Sequence, residues 1–233
     1  MSESPPPEDD AGLDNPAFAA LSTVHARFAQ RRGRVLRYPA EIGGFLALPA
    51  QATDADWEDA AELVPPGTIA AIGHTGRSLP GGWAVMRTLE IVQMIGVDTH
   101  GAQAAEAVSL GPADVPAMLE LVRLTNPGPF SERTIELGDY VGIRRDGELV
   151  AMAGERMRFP GWTEISTVCT SPAYRGTGMA SRLMLALIAG IERRSERPFL
   201  HVLRSNTNAI MLYESLGFKR RRDLTLAVVA PAG

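Results

Sequence analysis

The sequence predicts an α/β (α+β) fold, because strand and helix patterns alternate along most of its 233 residues. Residues 162–170 are rich in β-branched side chains, which are typical of a strand, and residues 180–191 place apolar side chains at helical spacing. An Asp-Gly dipeptide at 146–147 lies between two apolar runs and predicts a β-hairpin. A smaller α+β region is expected before these elements.

The composition is that of an ordinary soluble globular protein, with 45% hydrophobic and 21% charged residues. A net charge of −4 argues against a general nucleic-acid binder. The single cysteine, Cys169, excludes an internal disulfide and favours a cytoplasmic enzyme. No apolar run approaches the ~18 residues of a membrane span, and the acidic N-terminus resembles no targeting signal.

The N-terminal part is predicted to contain a tail over residues 1–14 and a small α+β region over 15–102. The tail is proline-rich and acidic, so we expect it to be disordered. A helix is predicted to begin near Pro16, capped by Asn15 or Asp14, and to run through residue 28.

Further elements of this region follow in order. Strands are predicted at 34–38, 44–48, 68–72 and 83–95, with a short helix at 56–63 and a glycine-rich turn at 72–82. His74 and His100 fall in loops without Cys or His partners at ligand spacing, so we expect surface histidines rather than a metal site.

The second part, residues 103–233, begins with a strand at 107–110 and a helix from Val115. A Pro/Gly loop at 126–130 leads to a second short helix that ends near Gly138. Two strands, at 140–144 and 149–157, then form the predicted hairpin.

A glycine loop follows the strand at 162–170. Its residues R-G-T-G-M-A, Arg175 to Ala180, lead directly into the helix at 180–191. Unpaired backbone N–H groups and the positive end of the helix dipole meet at such a junction, which favours a phosphate or pyrophosphate. Gly176 and Gly178 allow the positive φ values and close approach that this requires.

A second motif follows a strand at 198–202. Asn206, Ile210 and Tyr213 recur at helical spacing and share one helix face. Ser205 or Asn206 can cap this helix, and Gly217 suits the left-handed position after its end.

Together these residues resemble the GNAT acyltransferase superfamily. The matching patterns are R-x-x-G-x-A at Arg175–Ala180 and N-x-x-A-x-x-x-Y-x-x-x-G-F at Asn206–Phe218. The resemblance spans roughly residues 106–229 and implies a mixed, mostly antiparallel sheet with helices on both faces. It also implies acetyl-CoA as donor and an amine as acceptor. The N-terminal region is either a reduced GNAT-like half or an independent cap.

The resemblance assigns roles to individual residues. Tyr213 would protonate the departing sulfur of the coenzyme, and Asn206 would hold its pantetheine arm. The main chain of Val168, Cys169 and Thr170 would contact pantetheine and the acyl carbonyl. The coenzyme phosphates would bind at Arg175, Gly176, Thr177, Gly178, Met179 and Ala180.

A base is needed because an alkylamine is almost entirely protonated at neutral pH. The resemblance favours Glu164, on the strand before the glycine loop. Glu155 on the neighbouring strand and His201 on the strand before the last helix compete with it, and the sequence does not choose among the three.

Three other interpretations of these motifs compete with an acyltransferase that works by direct attack. A dinucleotide-binding fold needs glycines immediately after the strand, but residues 171–174 intervene here. An acyl-cysteine at Cys169 lacks an adjacent charged activator. A non-catalytic acyl-CoA binding or regulatory module is the main alternative to an enzyme. The acceptor amine and acyl-chain length stay open, a homodimer is compatible with the sequence, and no metal is expected.

Overall fold

The computed structural model describes residues 10–74 and 79–232 of the chain. The α-helices of these residues are α1 (Pro16–Ser22), α2 (Asp54–Leu63), α3 (Val115–Thr125), α4 (Met179–Arg193) and α5 (Thr207–Ser215). The strands are β1 (Gln30–Arg32), β2 (Val35–Arg37), β3 (Leu46–Ala47), β4 (Ala70–His74), β5 (Trp83–Gly96), β6 (Val108–Ser109), β7 (Tyr140–Arg145), β8 (Glu148–Phe159), β9 (Trp162–Thr170), β10 (Arg197–Leu203) and β11 (Phe218–Pro231).

Among the described residues, eight strands form one sheet in the order β4-β11-β5-β10-β9-β8-β7-β6, and β1, β2 and β3 form a second, small sheet. β9 and β10 run parallel, whereas the other neighbours in the large sheet are antiparallel. Leu149 and Val150, adjacent on β8, point to opposite faces, into clusters with α3 and α4 respectively. The predicted mixed, mostly antiparallel sheet with helices on both faces is confirmed.

The predicted hairpin joins β7 to β8. Arg145 lies opposite Glu148, and the two residues between them, Asp146 and Gly147, have φ values of 51° and 85°. Two positive φ values are what a two-residue type I′ turn requires, and Asp-Gly adopts them readily.

The large sheet draws strands from both predicted regions of the chain. β5 comes from the N-terminal region, yet it lies between β10 and β11, near the middle of the sheet. The boundary near residue 102 therefore does not separate two sheets. The relation of residues 15–102 to a GNAT-like half stays a prediction.

The N-terminal region also covers one face of the large sheet. Phe199 and Leu200 are adjacent on β10 and point to opposite faces, and Leu200 packs under α4. Phe199 packs with Trp162 and with N-terminal residues such as Tyr38 and Phe45. The face opposite α4 is thus closed over the middle strands by residues that precede the GNAT-like motifs.

The predicted disordered tail is wrong for its last five residues, because Asp10–Asp14 form a 3₁₀-helix. Leu13 is 0% exposed and packs in the same cluster as Phe199. Proline and acidic composition predict solvated chain. Here Leu13 is buried, Gln93 donates to its carbonyl oxygen, and Arg221 and Arg222 pair with Asp14, so the turn is docked on the sheet. Residues 1–9 lie outside the described part.

Two other boundaries differ from the expected ones. Asn15 caps α1 as predicted, but α1 ends at Ser22 and a 3₁₀ turn at Ala26–Phe28 follows. β4 extends to His74, and residues 75–78 of the predicted turn lie outside the described residues. None of the helices described is long and apolar enough to cross a membrane.

Candidate active site

A gap opens between β9 and β10 in the middle of the sheet. Their parallel pairing joins residues 162–164 to residues 197–199 and stops there. β9 continues to Thr170 and β10 to Leu203, and this part of each described strand does not pair with the other. The backbone edge of β9 is therefore available to a ligand. The glycine loop follows β9 and Asn206 follows β10, so both motifs flank this gap.

β9 is distorted beside the gap. Thr167 has a φ of 55°, and the pairing register with β8 shifts between Met152 and Gly154. A positive φ is a genuine outlier for a β-branched residue, and such strain is found most often at functional sites. The distortion immediately precedes Val168, Cys169 and Thr170, whose main chain the sequence resemblance assigns to the coenzyme.

Cys169 is a free thiol buried in the cluster beneath α3. Burial raises the pKa of this thiol to about 11. The thiol is therefore protonated at neutral pH, and this disfavours an acyl-cysteine intermediate.

The glycine loop presents unpaired backbone donors at the start of a long helix. Gly176 and Gly178 have φ values of 78° and 75°, and Gly178 caps α4 without a side-chain hydrogen bond. The backbone N–H groups of Gly176, Thr177 and Gly178 donate to none of the described groups. A Cβ on Gly176 would meet nothing within 4 Å, so the space beside this glycine is open. This donor set, with exposed Arg175 beside it, fits a pyrophosphate.

Asn206 and Tyr213 are placed by α5. Asn206 is the N-cap, and its Oδ1 accepts a hydrogen bond from the backbone N–H of Ala209 at 3.2 Å. Its Nδ2 is left to donate elsewhere. Gly217 follows the helix with a φ of 90°, as predicted.

Tyr213 is 8% exposed and packs against Phe218, with ring centroids 6.2 Å apart. Burial raises the pKa of its phenol to about 12, so the hydroxyl keeps its proton at neutral pH. The hydroxyl has no hydrogen-bond partner among the described residues. Tyr213 is thus a neutral donor with a free proton.

Glu164 is a fully buried carboxylate with two partners. Arg156 donates to both of its oxygens, from Nε at 2.8 Å and from Nη2 at 2.6 Å, and Nδ1 of His201 lies 2.7 Å from Oε1. Burial alone would raise the pKa of Glu164, but Arg156 and His201 outweigh it and hold the pKa at about 2. A carboxylate at 0% exposure with these partners is a poor direct acceptor of a substrate proton.

His201 contacts Glu164, whereas Glu155 lies on the opposite face of the sheet. Glu155 pairs with Arg194 at 2.6 Å, and it lies opposite Ile165, whose side chain is in the α4 cluster. Glu164 is adjacent to Ile165 on β9, so it lies on the other face. Burial raises the pKa of Glu155.

A row of polar side chains that the sequence did not predict crosses the sheet on the Glu164 face. The row runs over β8, β9, β10, β5 and β11 and consists of Arg156, Glu164, His201, Gln93 and Arg221. Gln93 could have been noticed, because it interrupts the apolar run Ile91, Val92, Met94 and Ile95. Within the described part of the chain, no group of His, Cys, Asp and Glu residues could hold a metal ion.

The chain is similar to several known proteins. The family model described as FR47-like protein matches residues 140–226. An Escherichia coli protein named [ribosomal protein bS18]-alanine N-acetyltransferase is 30% identical over 116 residues, which cover 47% of this chain and 78% of that protein. A crystal structure of a GNAT-family protein from Novosphingobium aromaticivorans has 36% identity and a TM-score of 0.88, covering 96% of this chain and 100% of that one.

The chain belongs to the GNAT family. A Mycobacterium tuberculosis protein named N-alpha-acetyltransferase RimI is 39% identical over 84 residues, which cover 35% of this chain and 52% of that protein. The chain spans about half or less of the first curated relatives that it matches. The GNAT motifs lie mostly within the FR47-like match, whereas β1 to β5 precede it.

Proposed function

We propose that this GNAT protein transfers an acetyl group from acetyl-CoA to a primary amine, by direct attack of the amine within a ternary complex. The observation that carries the proposal is Tyr213, on the helix that follows the β9–β10 gap. Its phenol is buried and protonated, and its hydroxyl has no hydrogen-bond partner among the described residues. A proton donor of this kind is what a departing thiolate needs.

The open backbone donors of Gly176, Thr177 and Gly178, with the first turn of α4 at Met179 and Ala180, would hold the coenzyme phosphates. Arg175 would add a positive charge. The free edge of β9 at Val168, Cys169 and Thr170 and the side-chain amide of Asn206 would hold the pantetheine arm. A backbone N–H aimed at the acyl carbonyl would stabilise the negative charge that develops on its oxygen.

In the proposed reaction the amine nitrogen attacks the acyl carbon, a C–N bond forms, and the C–S bond breaks. Tyr213 gives its proton to the departing sulfur and later recovers one from solvent. No covalent intermediate on the protein is involved, in keeping with the raised pKa of the Cys169 thiol.

The attacking amine must also lose a proton, and we assign its acceptance to the pair of His201 and Glu164. The imidazole is the acceptor, because the side chain of His201 is 13% exposed whereas that of Glu164 is 0% exposed. Glu164 then acts as a positioning residue that orients the ring and stabilises the imidazolium. In this proposal His201 is the general base, and Glu164 does not accept the proton directly.

The relatives' names suggest where to begin with the acceptor. One relative is named for alanine N-acetylation of ribosomal protein bS18, and another is named mycothiol acetyltransferase. The first acceptor class to test is therefore the α-amino group of a polypeptide, and the second is a small primary amine. The buried free thiol of Cys169 suits a reducing compartment, so we expect the reaction in the cytoplasm.

The test is thiol release from acetyl-CoA against a panel of acceptors, after binding has been measured by titration calorimetry on the same sample. The panel contains peptides with free N-terminal alanine or serine, the same peptides blocked at the N-terminus, and small amines. Turnover that depends on a free amine supports the proposal. Tight binding without turnover on the whole panel would favour a non-catalytic acyl-CoA binding module instead.

A further inference from the structure

Gln93 lies directly opposite His201 on the antiparallel strands β5 and β10. It is 0% exposed and uses both ends of its side-chain amide. Oε1 accepts a hydrogen bond from Nη1 of Arg221 at 2.9 Å, and Nε2 donates to the carbonyl oxygen of Leu13 at 2.8 Å. Nε2 also lies 3.1 Å from Nε2 of His201.

These partners fix the orientation of the amide. A guanidinium can only donate and a carbonyl oxygen can only accept, so the oxygen of Gln93 must face Arg221 and its NH₂ group must face Leu13. The second hydrogen of the NH₂ group then points at Nε2 of His201. An N–H donor can pair with an imidazole nitrogen only when that nitrogen carries a lone pair.

We propose that Gln93 is a positioning residue that holds His201 as the neutral imidazole with its proton on Nδ1 and its lone pair on Nε2. The proton on Nδ1 is donated to Glu164, whose carboxylate is the matching acceptor. Both ends of the ring thus specify the same tautomer. The inference rests on the proposed function, in which the amine's proton is taken up at Nε2 of the neutral ring as the hydrogen bond from Gln93 opens.

A proton taken up at Nε2 would place a donor against the NH₂ group of Gln93 and break that hydrogen bond. Gln93 therefore opposes formation of the imidazolium, whereas Glu164 favours it. The other charged groups near this row are Arg156 behind Glu164, and Arg221 and Arg222, which pair with Asp14 at 2.7 and 3.1 Å. Tyr38, which interacts with Glu164 from the N-terminal cover, is neutral because burial raises the pKa of its phenol.

The proposal predicts how far the acidic limb of the kcat/KM profile moves in two Gln93 variants. Gln93→Leu removes the donor that faces the lone pair on Nε2, so the acidic limb of the kcat/KM profile moves to higher pH by about half a unit or more. Gln93→Glu places a carboxylate beside Nε2 and moves the limb further in the same direction. A matched control is Gln103→Leu, at an exposed glutamine outside the row, which leaves the profile in place.

A second measurement uses the unmodified protein. Its result depends neither on the folding of the Gln93 variants nor on turnover. Nitrogen-15 NMR of the side chains reports the tautomer, and the signals of His201 are those lost in His201→Gln. The result expected at neutral pH is an unprotonated Nε2 and a protonated Nδ1. A protonated Nε2, or an acidic limb that stays in place in both Gln93 variants of a folded, active enzyme, would overturn the inference. Absence of turnover on every acceptor would instead count against the proposed function, while the tautomer result would stand.

Discussion

Nδ1 of His201 lies 2.7 Å from Oε1 of Glu164, although the two residues are on different strands and β9 and β10 stop pairing at Glu164. The contact joins two of the three base candidates that the sequence could not separate. It places a carboxylate of 0% exposure against a ring whose side chain is 13% exposed.

Replacing Glu164 by Gln should destabilise the protein by about 3 kcal/mol at neutral pH, because Arg156 would remain buried without its counter-charge. The pKa of Glu164 is about 2 in the folded state, below its ordinary value of 4.5. Its stabilising contribution is therefore complete above pH 4.5 and is lost as the pH falls toward 2. The difference between wild type and variant should shrink over that window in urea unfolding. Glu148→Gln, at an exposed hairpin position, should unfold like wild type at both ends of it.

Tyr213→Phe should lower kcat about a hundredfold and leave acetyl-CoA affinity nearly unchanged, since the lost hydroxyl acts on the departing thiolate. Because the pKa of Tyr213 is about 12, its ionisation should not shape the activity profile near neutral pH. Steady-state kinetics with calorimetry separates the two effects. Tyr174→Phe serves as the control on the neighbouring loop, and equal losses of kcat and affinity in Tyr213→Phe would make Tyr213 a binding residue.

Gly176→Ala should weaken acetyl-CoA binding by more than tenfold, because the new methyl group enters the open space beside the proposed phosphate donors. Gly147→Ala is a closely matched control. Both glycines have positive φ, 78° and 85°, and a Cβ on either meets nothing within 4 Å. Both variants should lose similar stability, about 1 kcal/mol, from the strained backbone. Similar affinities for acetyl-CoA in the two variants would refute the phosphate site.

Leu13→Ala should cost about 3 kcal/mol of unfolding free energy, because Leu13 is 0% exposed and the truncation leaves a cavity in the cluster that contains Phe199. Leu124→Ala, at a leucine that is 53% exposed, should cost little. Thermal or urea unfolding measures both. A Leu13 variant as stable as the Leu124 variant would show that residues 10–14 are not docked in solution.

The sequence was most informative where local chemistry decides the structure. Asp146 and Gly147 specify their turn, Asn206 caps α5, and Gly217 takes the left-handed position, all as predicted. Each of these features depends on a residue's own backbone preference or on a hydrogen bond a few residues away.

Features that depend on contacts distant in sequence were not predictable in this way. β5 has an ordinary strand pattern, and nothing in it specifies a place between β10 and β11. Gln93 and His201 are 108 residues apart in the chain, and their contact follows only from that strand order. Leu13 likewise reads as one apolar residue in a polar segment until the sheet beneath it is known.

Single-turnover analysis of thiol release most directly tests the central claim of acetyl transfer by direct attack. The protein is mixed with acetyl-CoA in the absence and in the presence of an acceptor from the panel. We expect no thiol burst without the amine, and equal amounts of free thiol and acetylated amine with it. A burst equal to the protein concentration without an amine would show an acyl-enzyme, and no acetylated product with any acceptor would contradict the assignment of an acetyltransferase.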